Sequence, residues 1–147
     1  MKNITVLGAT GSIGLNTLDV ISRNSDRFNV FAVSAKSDWE GLLQICKDHL
    51  PSFAVLDDEA SAEKLRVAAP LGVEILSGES SLKEIAAHSQ TDFVMAAIVG
   101  GAGMSSTFAA AKAGKRIMLA NKESLVLGGT LLIDCLLYTS PSPRDRG

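Results

Sequence analysis

A basic block is the first thing this chain lacks. Its net charge is −2 and its cations are scattered, so nucleic acid and acidic membrane surfaces are poor partners for it. No apolar run is long enough to span a bilayer. Met1-Lys2-Asn3 leads straight into a strand pattern and leaves no room for a signal or transit peptide, which makes the cytoplasm the expected compartment. Cysteine is scarce. Cys46 and Cys135 stand far apart in helix-like segments and read as buried free thiols in reducing surroundings rather than as a disulfide. His49 and His88 have no carboxylate cluster beside them and read as surface histidines, so no metal ligands are assigned. What remains is 46% hydrophobic and 20% charged over 147 residues, a balance that excludes a disordered chain and suits one globular domain with a real core.

The stretch that organises the rest is Ile4-Thr5-Val6-Leu7 followed by Gly8-Ala9-Thr10-Gly11-Ser12-Ile13-Gly14. A short β-branched, apolar strand runs into glycines spaced G-x-x-G-x-x-G, and a helical pattern begins directly behind them, the context in which such a turn holds a dinucleotide. Gly8 lets the chain reverse, Gly11 removes a Cβ where a pyrophosphate would approach, and Gly14 lets helix and strand lie close. The amides from Thr10 to Ile13 then form a free helix N-terminus suited to an anion, at roughly 1.5–3 kcal/mol per charge-assisted bond. The same glycines would also serve a tight strand–helix turn with no ligand, so that reading stays open.

Ile13, Thr17, Leu18 and Ile21 form one helical stripe that Asn24-Ser25-Asp26 ends. Strands are expected at Phe28–Ser34, Phe53–Leu56, Val73–Leu76, Asp92–Val99 and Arg116–Ala120. Between them helices are expected around Leu42–Cys46, stopped by Pro51; behind Asp57-Asp58; behind the S-x-x-E box Ser81–Glu84; and at Thr107–Ala113, after a Gly100–Gly103 turn. Leu125–Leu136 also looks helical. Strand and helix alternate with no hairpin signal, which gives an α/β fold: a Rossmann-like, doubly wound, mostly parallel sheet with helices on both faces. We place this domain at residues 1–135. Residues 136–147 are polar, proline-punctuated and aperiodic; they read as foreign sequence from a frame slip or read-through, with a disordered tail as the alternative.

The second strand decides the cofactor. Its end, Ser34-Ala35-Lys36-Ser37-Asp38, offers a cation and a hydroxyl where a free ribose 2′-hydroxyl would call for a carboxylate. That favours NADPH over NADH. Asp38 is awkward beside a phosphate and has an alternative role as N-cap of the next helix. A second cluster, Asn121-Lys122-Glu123-Ser124, follows an apolar strand and should face the same crevice. A helix start capped by Asn121 would explain it too.

Taken together, Ile4–Val20, Met95–Gly100 and Leu119–Val126 resemble the 1-deoxy-D-xylulose 5-phosphate reductoisomerase family, and the similarity extends from residue 1 to about Asp134. The resemblance implies an oxidoreductase of non-mevalonate isoprenoid biosynthesis that uses NADPH and a divalent metal, magnesium or manganese. Such an enzyme rearranges a sugar phosphate, 1-deoxy-D-xylulose 5-phosphate, and reduces the product to 2-C-methyl-D-erythritol 4-phosphate. It also implies a homodimer for the full-length protein. By the same resemblance Thr10, Gly11, Ser12 and Ile13 match pyrophosphate contacts, and Lys36, Ser37 and Asp38 match the adenosine-phosphate loop, where asparagine is usual at the place of Asp38. Asn121 and Glu123 match cofactor contacts and Lys122 a substrate contact, where an ammonium can stabilise charge developing on oxygen. The family's acidic metal cluster and phosphate-gripping residues have no counterpart here, so no catalytic residue is assigned and the chain is expected to bind cofactor at most.

Two other readings share the glycine turn. An aspartate-semialdehyde-type dehydrogenase needs an activated thiolate, and the only candidate, Cys135, has Asp134 beside it in an apolar stretch, which raises a thiol pKa. A nucleotide-sensing Rossmann module has no need of Lys122 between Asn121 and Glu123.

Overall fold

A computed structural model of the chain describes residues 2–96 and 101–119. Six strands and five helices alternate along them: β1 (Lys2–Leu7), α1 (Ser12–Arg23), β2 (Phe28–Ala35), α2 (Trp39–His49), β3 (Phe53–Leu56), α3 (Glu59–Ala68), β4 (Glu74–Ser77), α4 (Glu79–Ala86), β5 (Phe93–Ala96), α5 (Gly101–Lys112) and β6 (Arg116–Leu119). The strands form one sheet in the order β4-β3-β2-β1-β5-β6, and every pairing is parallel.

The side-chain alternation of each strand feeds two cores. Ile4 and Val6 of β1 face Leu18 and Ile21 of α1, Leu42 and Ile45 of α2, and Ala62 and Leu65 of α3. Leu7 and Val94 face the opposite side, against Leu82 and Ile85 of α4 and Ala110 of α5. Growth in one direction places the first three helices on one face, and the jump from β4 across to β5 puts the next two on the other, because parallel crossovers keep one hand. Each fully buried Leu or Ile contributes about 1.5–3 kcal/mol.

Two helix starts and the setting of one histidine differ from the sequence expectation. Helix α4 starts at Glu79 behind Gly78, which stands at φ +92°; the S-x-x-E box therefore lies inside the helix instead of opening it. Helix α5 starts at Gly101, so Gly101, Ala102 and Gly103 are helical rather than a turn, the intrinsic cost of glycine being overridden by the fold. His88 is half-buried rather than fully at the surface: its ring lies 4.9 Å from that of Phe31 and 5.4 Å from that of Phe53. Cys46 is a buried free thiol, as expected, while Cys135 and the helix expected at 125–136 lie outside the described residues. Among the described residues no helix is long and apolar enough to cross a membrane.

Candidate functional site

The sheet reverses its direction of growth between β1 and β5, the place where open parallel sheets bind ligands, outside the carboxyl ends of their strands. Register aligns Leu7 with Ala96 and Ala96 with Leu119, so the chain leaves β1, β5 and β6 side by side along one edge. The glycine turn is the first of these exits.

Each glycine of the turn can be judged by what a Cβ would meet. Gly8 takes φ +81°, which turns the chain off the strand. A Cβ on Gly14 would lie 2.3 Å from the Gly8 carbonyl oxygen and 2.6 Å from the Ala9 Cα; both are backbone atoms, so helix and strand touch only because no side chain intervenes. A Cβ on Gly11 would have its nearest such neighbour at 3.8 Å. Protein packing therefore does not require glycine at position 11, whereas an approaching ligand would. Gly11 is the N-cap of α1; no side chain caps the helix, and no acid stands in its first turn. Gly11 and Ser12 are exposed, Thr10 and Ile13 half-buried. The positive end of α1 is thus open towards solvent, an arrangement that can take up an anion.

The turn is anchored by a residue to which the sequence pattern gives no role. Ser34, near the end of β2 and 1% exposed, accepts the Gly8 N–H on its Oγ at 3.0 Å and the Ala9 N–H on its carbonyl at 2.7 Å. A serine in a strand carries no signal of this by itself; the bond exists only because β1 and β2 pair in parallel and end together.

Lys36, Ser37 and Asp38 follow β2 at the same edge, all exposed. The Lys36 carbonyl accepts from the Asp57 N–H at 2.9 Å, which ties this loop to the end of β3 and leaves the lysine side chain at the surface. Asp38 caps α2, its Oδ1 accepting the Gly41 N–H at 3.0 Å. The carboxylate is thereby held on its own helix. Asn121, Lys122 and Glu123 lie outside the described residues, as do Ile98, Val99 and Gly100. Among the described residues no group of three or more His, Cys, Asp or Glu side chains could hold a metal ion.

Residues 4–129 match the family model described as 1-deoxy-D-xylulose 5-phosphate reductoisomerase. Curated relatives bearing that name include those of Ruthia magnifica subsp. Calyptogena magnifica, 56% identical over 133 residues, and of Vesicomyosocius okutanii, 54% identical over 133 residues. In each case the alignment takes in 90% of this chain and 35% of the relative. A solved structure, the 1-deoxy-D-xylulose 5-phosphate reductoisomerase from Zymomonas mobilis in complex with NADPH, superposes with a TM-score of 0.76 at 45% identity, over 90% of this chain and 35% of that one. The chain therefore spans about a third of the length of the relatives it matches.

Proposed function

The chain belongs to the 1-deoxy-D-xylulose 5-phosphate reductoisomerase family, and from that premise we propose that it is the NADPH-binding part of such an enzyme, with residues 1–135 as its domain. The whole reaction in this reading is rearrangement and reduction of 1-deoxy-D-xylulose 5-phosphate in the cytoplasm, by a homodimer when full-length. Membership in the family leaves the semialdehyde-dehydrogenase and sensing-module readings without support.

The observation that carries the proposal is the contrast between two glycines. Gly14 is explained by contacts within the protein; Gly11, where a Cβ would meet only an ordinary contact at 3.8 Å at an uncapped helix end, is explained by a pyrophosphate. In this reading the amides from Thr10 to Ile13 hold the diphosphate, Lys36 and Ser37 meet the ribose 2′-phosphate, and Asp38 borders it from its cap. Asn121 and Glu123 complete the cofactor contacts, and Lys122 reaches the substrate. NADPH supplies the hydride when bound. The magnesium or manganese ion of the whole enzyme would be held by residues other than those described.

Trp39 is the only tryptophan of the chain and begins α2 directly behind Asp38, so its emission should be quenched when NADPH binds. Saturable quenching by NADPH, weakened far more for NADPH than for NADH in Lys36→Glu and nearly unchanged in Lys122→Ala, is the expected result. Absence of saturable quenching would overturn the proposal. Mixing the chain with NADPH, the ketose phosphate and magnesium or manganese should give no NADPH oxidation. Turnover there would show that the catalytic machinery is present after all.

A further inference from the structure

We infer that Ser34 is a positioning residue for the diphosphate of the cofactor, acting through the main chain of the glycine turn. The inference rests on the dinucleotide reading above and adds to it a residue that touches no ligand. Gly8 is the pivot of the turn, and it is held from both sides. Its carbonyl lies beneath Gly14, so close that no Cβ fits between. Its N–H is held by the Ser34 hydroxyl oxygen, and the next N–H, of Ala9, by the Ser34 carbonyl.

One buried residue of the neighbouring strand thus satisfies two consecutive amides of the turn. The pairing of β1 with β2 is registered as far as Val6 and Val33, so Ser34 is where ladder bonding gives way to the turn. A side chain without an acceptor at this point, alanine or valine, leaves the Gly8 N–H without its partner. Gly8 is half-buried, and a donor that loses its partner there turns its peptide towards water or a new acceptor; any rotation at Gly8 is passed on to Thr10 and Gly11. Anion binding by main-chain amides depends on their aim, because the donors cannot be reoriented one at a time as side chains can.

The test compares the unaltered chain with Ser34→Ala and Ser34→Thr, each checked for folding by circular dichroism. Each is titrated with NADPH, inorganic pyrophosphate and adenosine 2′-monophosphate. The alanine variant should bind NADPH and pyrophosphate about five- to tenfold more weakly, yet bind adenosine 2′-monophosphate, which has no diphosphate, as the unaltered chain does. The threonine variant, which keeps the hydroxyl, should restore most of the loss. Equal weakening of all three ligands, or a lowered melting temperature with unchanged affinities, would make Ser34 a merely structural serine and overturn the inference. Should Ser34→Ala fail to fold, Ser34→Cys, with its weaker acceptor, must fall between serine and threonine on one side and complete loss on the other. Failure of the unaltered chain to bind NADPH would instead overturn the dinucleotide reading, and the role of Ser34 with it.

Discussion

At the scale of single residues, two glycines three positions apart make opposite predictions. Gly14→Ala drives a methyl group into backbone atoms of Gly8 and Ala9 that cannot move aside cheaply, and should destabilise the fold by about 1–3 kcal/mol or more. Gly11→Ala meets nothing closer than 3.8 Å, so its melting temperature should stay near that of the parent while NADPH quenching of Trp39 is lost. Thermal denaturation and titration on the same two samples check both. Asp38 gives a third case. Asp38→Asn keeps the N-cap, since an amide oxygen accepts from Gly41 as a carboxylate does, and removes a negative charge beside the proposed 2′-phosphate. NADPH should bind about two- to fivefold more tightly with little change in stability, whereas Asp38→Ala should lose about 1 kcal/mol of stability. The roles of Gly14 and of Asp38 as a cap were legible in the sequence because both depend on neighbours a few positions away. That of Ser34 was not, for its partner is 26 residues distant and is brought to it only by strand pairing.

At the scale of elements, local signals placed strands and helices well and helix starts less well. The S-x-x-E box was followed by a genuine helix, yet Gly78 opened it a few residues sooner because the end of β4 delivers the chain there: the Gly78 N–H bonds to the Leu56 carbonyl at 2.9 Å. Strand β2 carries an irregularity the sequence does not announce. Its register against β1 slips between Ile4 and Thr5, so Phe31 and Ala32, though adjacent, both join the core beneath α4. That slip brings Phe31 against His88 and Phe53. Strand β4 ends the sheet on one side, and an unpaired edge invites association. Arg66 covers it: paired with Glu59 and Glu63, its guanidinium also donates to the Ile75 carbonyl. These contacts are exposed and screened, so Arg66→Ala should move the melting temperature little. It should nevertheless increase self-association in light scattering, with Val67 and Leu71 exposed nearby. An unchanged scattering profile would show that the edge needs no cover.

At the scale of the whole molecule, the α/β class and the parallel sheet followed from the alternation of elements alone. The strand order did not, since nothing local in β4 or β5 says that the chain crosses from one side of the sheet to the far side of β1. The pH range over which the fold holds is also a property of the whole. Burial pushes the Cys46 thiol up to about 11 from an ordinary 9.0. The folded state therefore keeps a proton that the unfolded chain gives up, and stability should fall as pH rises from 9 towards 11. Burial holds the His49 imidazole below its ordinary 6.5, against the opposing charge of Asp48, so stability should begin to fall as pH drops below 6.5. The Ser61 amide holds the Asp58 carboxyl below 3.8, so its contribution is present above 3.8 and is lost as pH falls from there through the lowered value. Chemical denaturation across pH should show the plateau, and Cys46→Ala should flatten its alkaline side.

The direction reversal in the sheet also sets an order in time. Strand β1 leaves the ribosome shortly before β2 and can pair with it early, but its other neighbour comes much later: the Asn3 amide waits for an Asp92 carboxylate 89 residues downstream. Until then the centre of the future sheet is a raw margin, and closing so long a loop is slow. The glycine turn is made before β2, β3 and β4, and the wall beside it arrives only after all three.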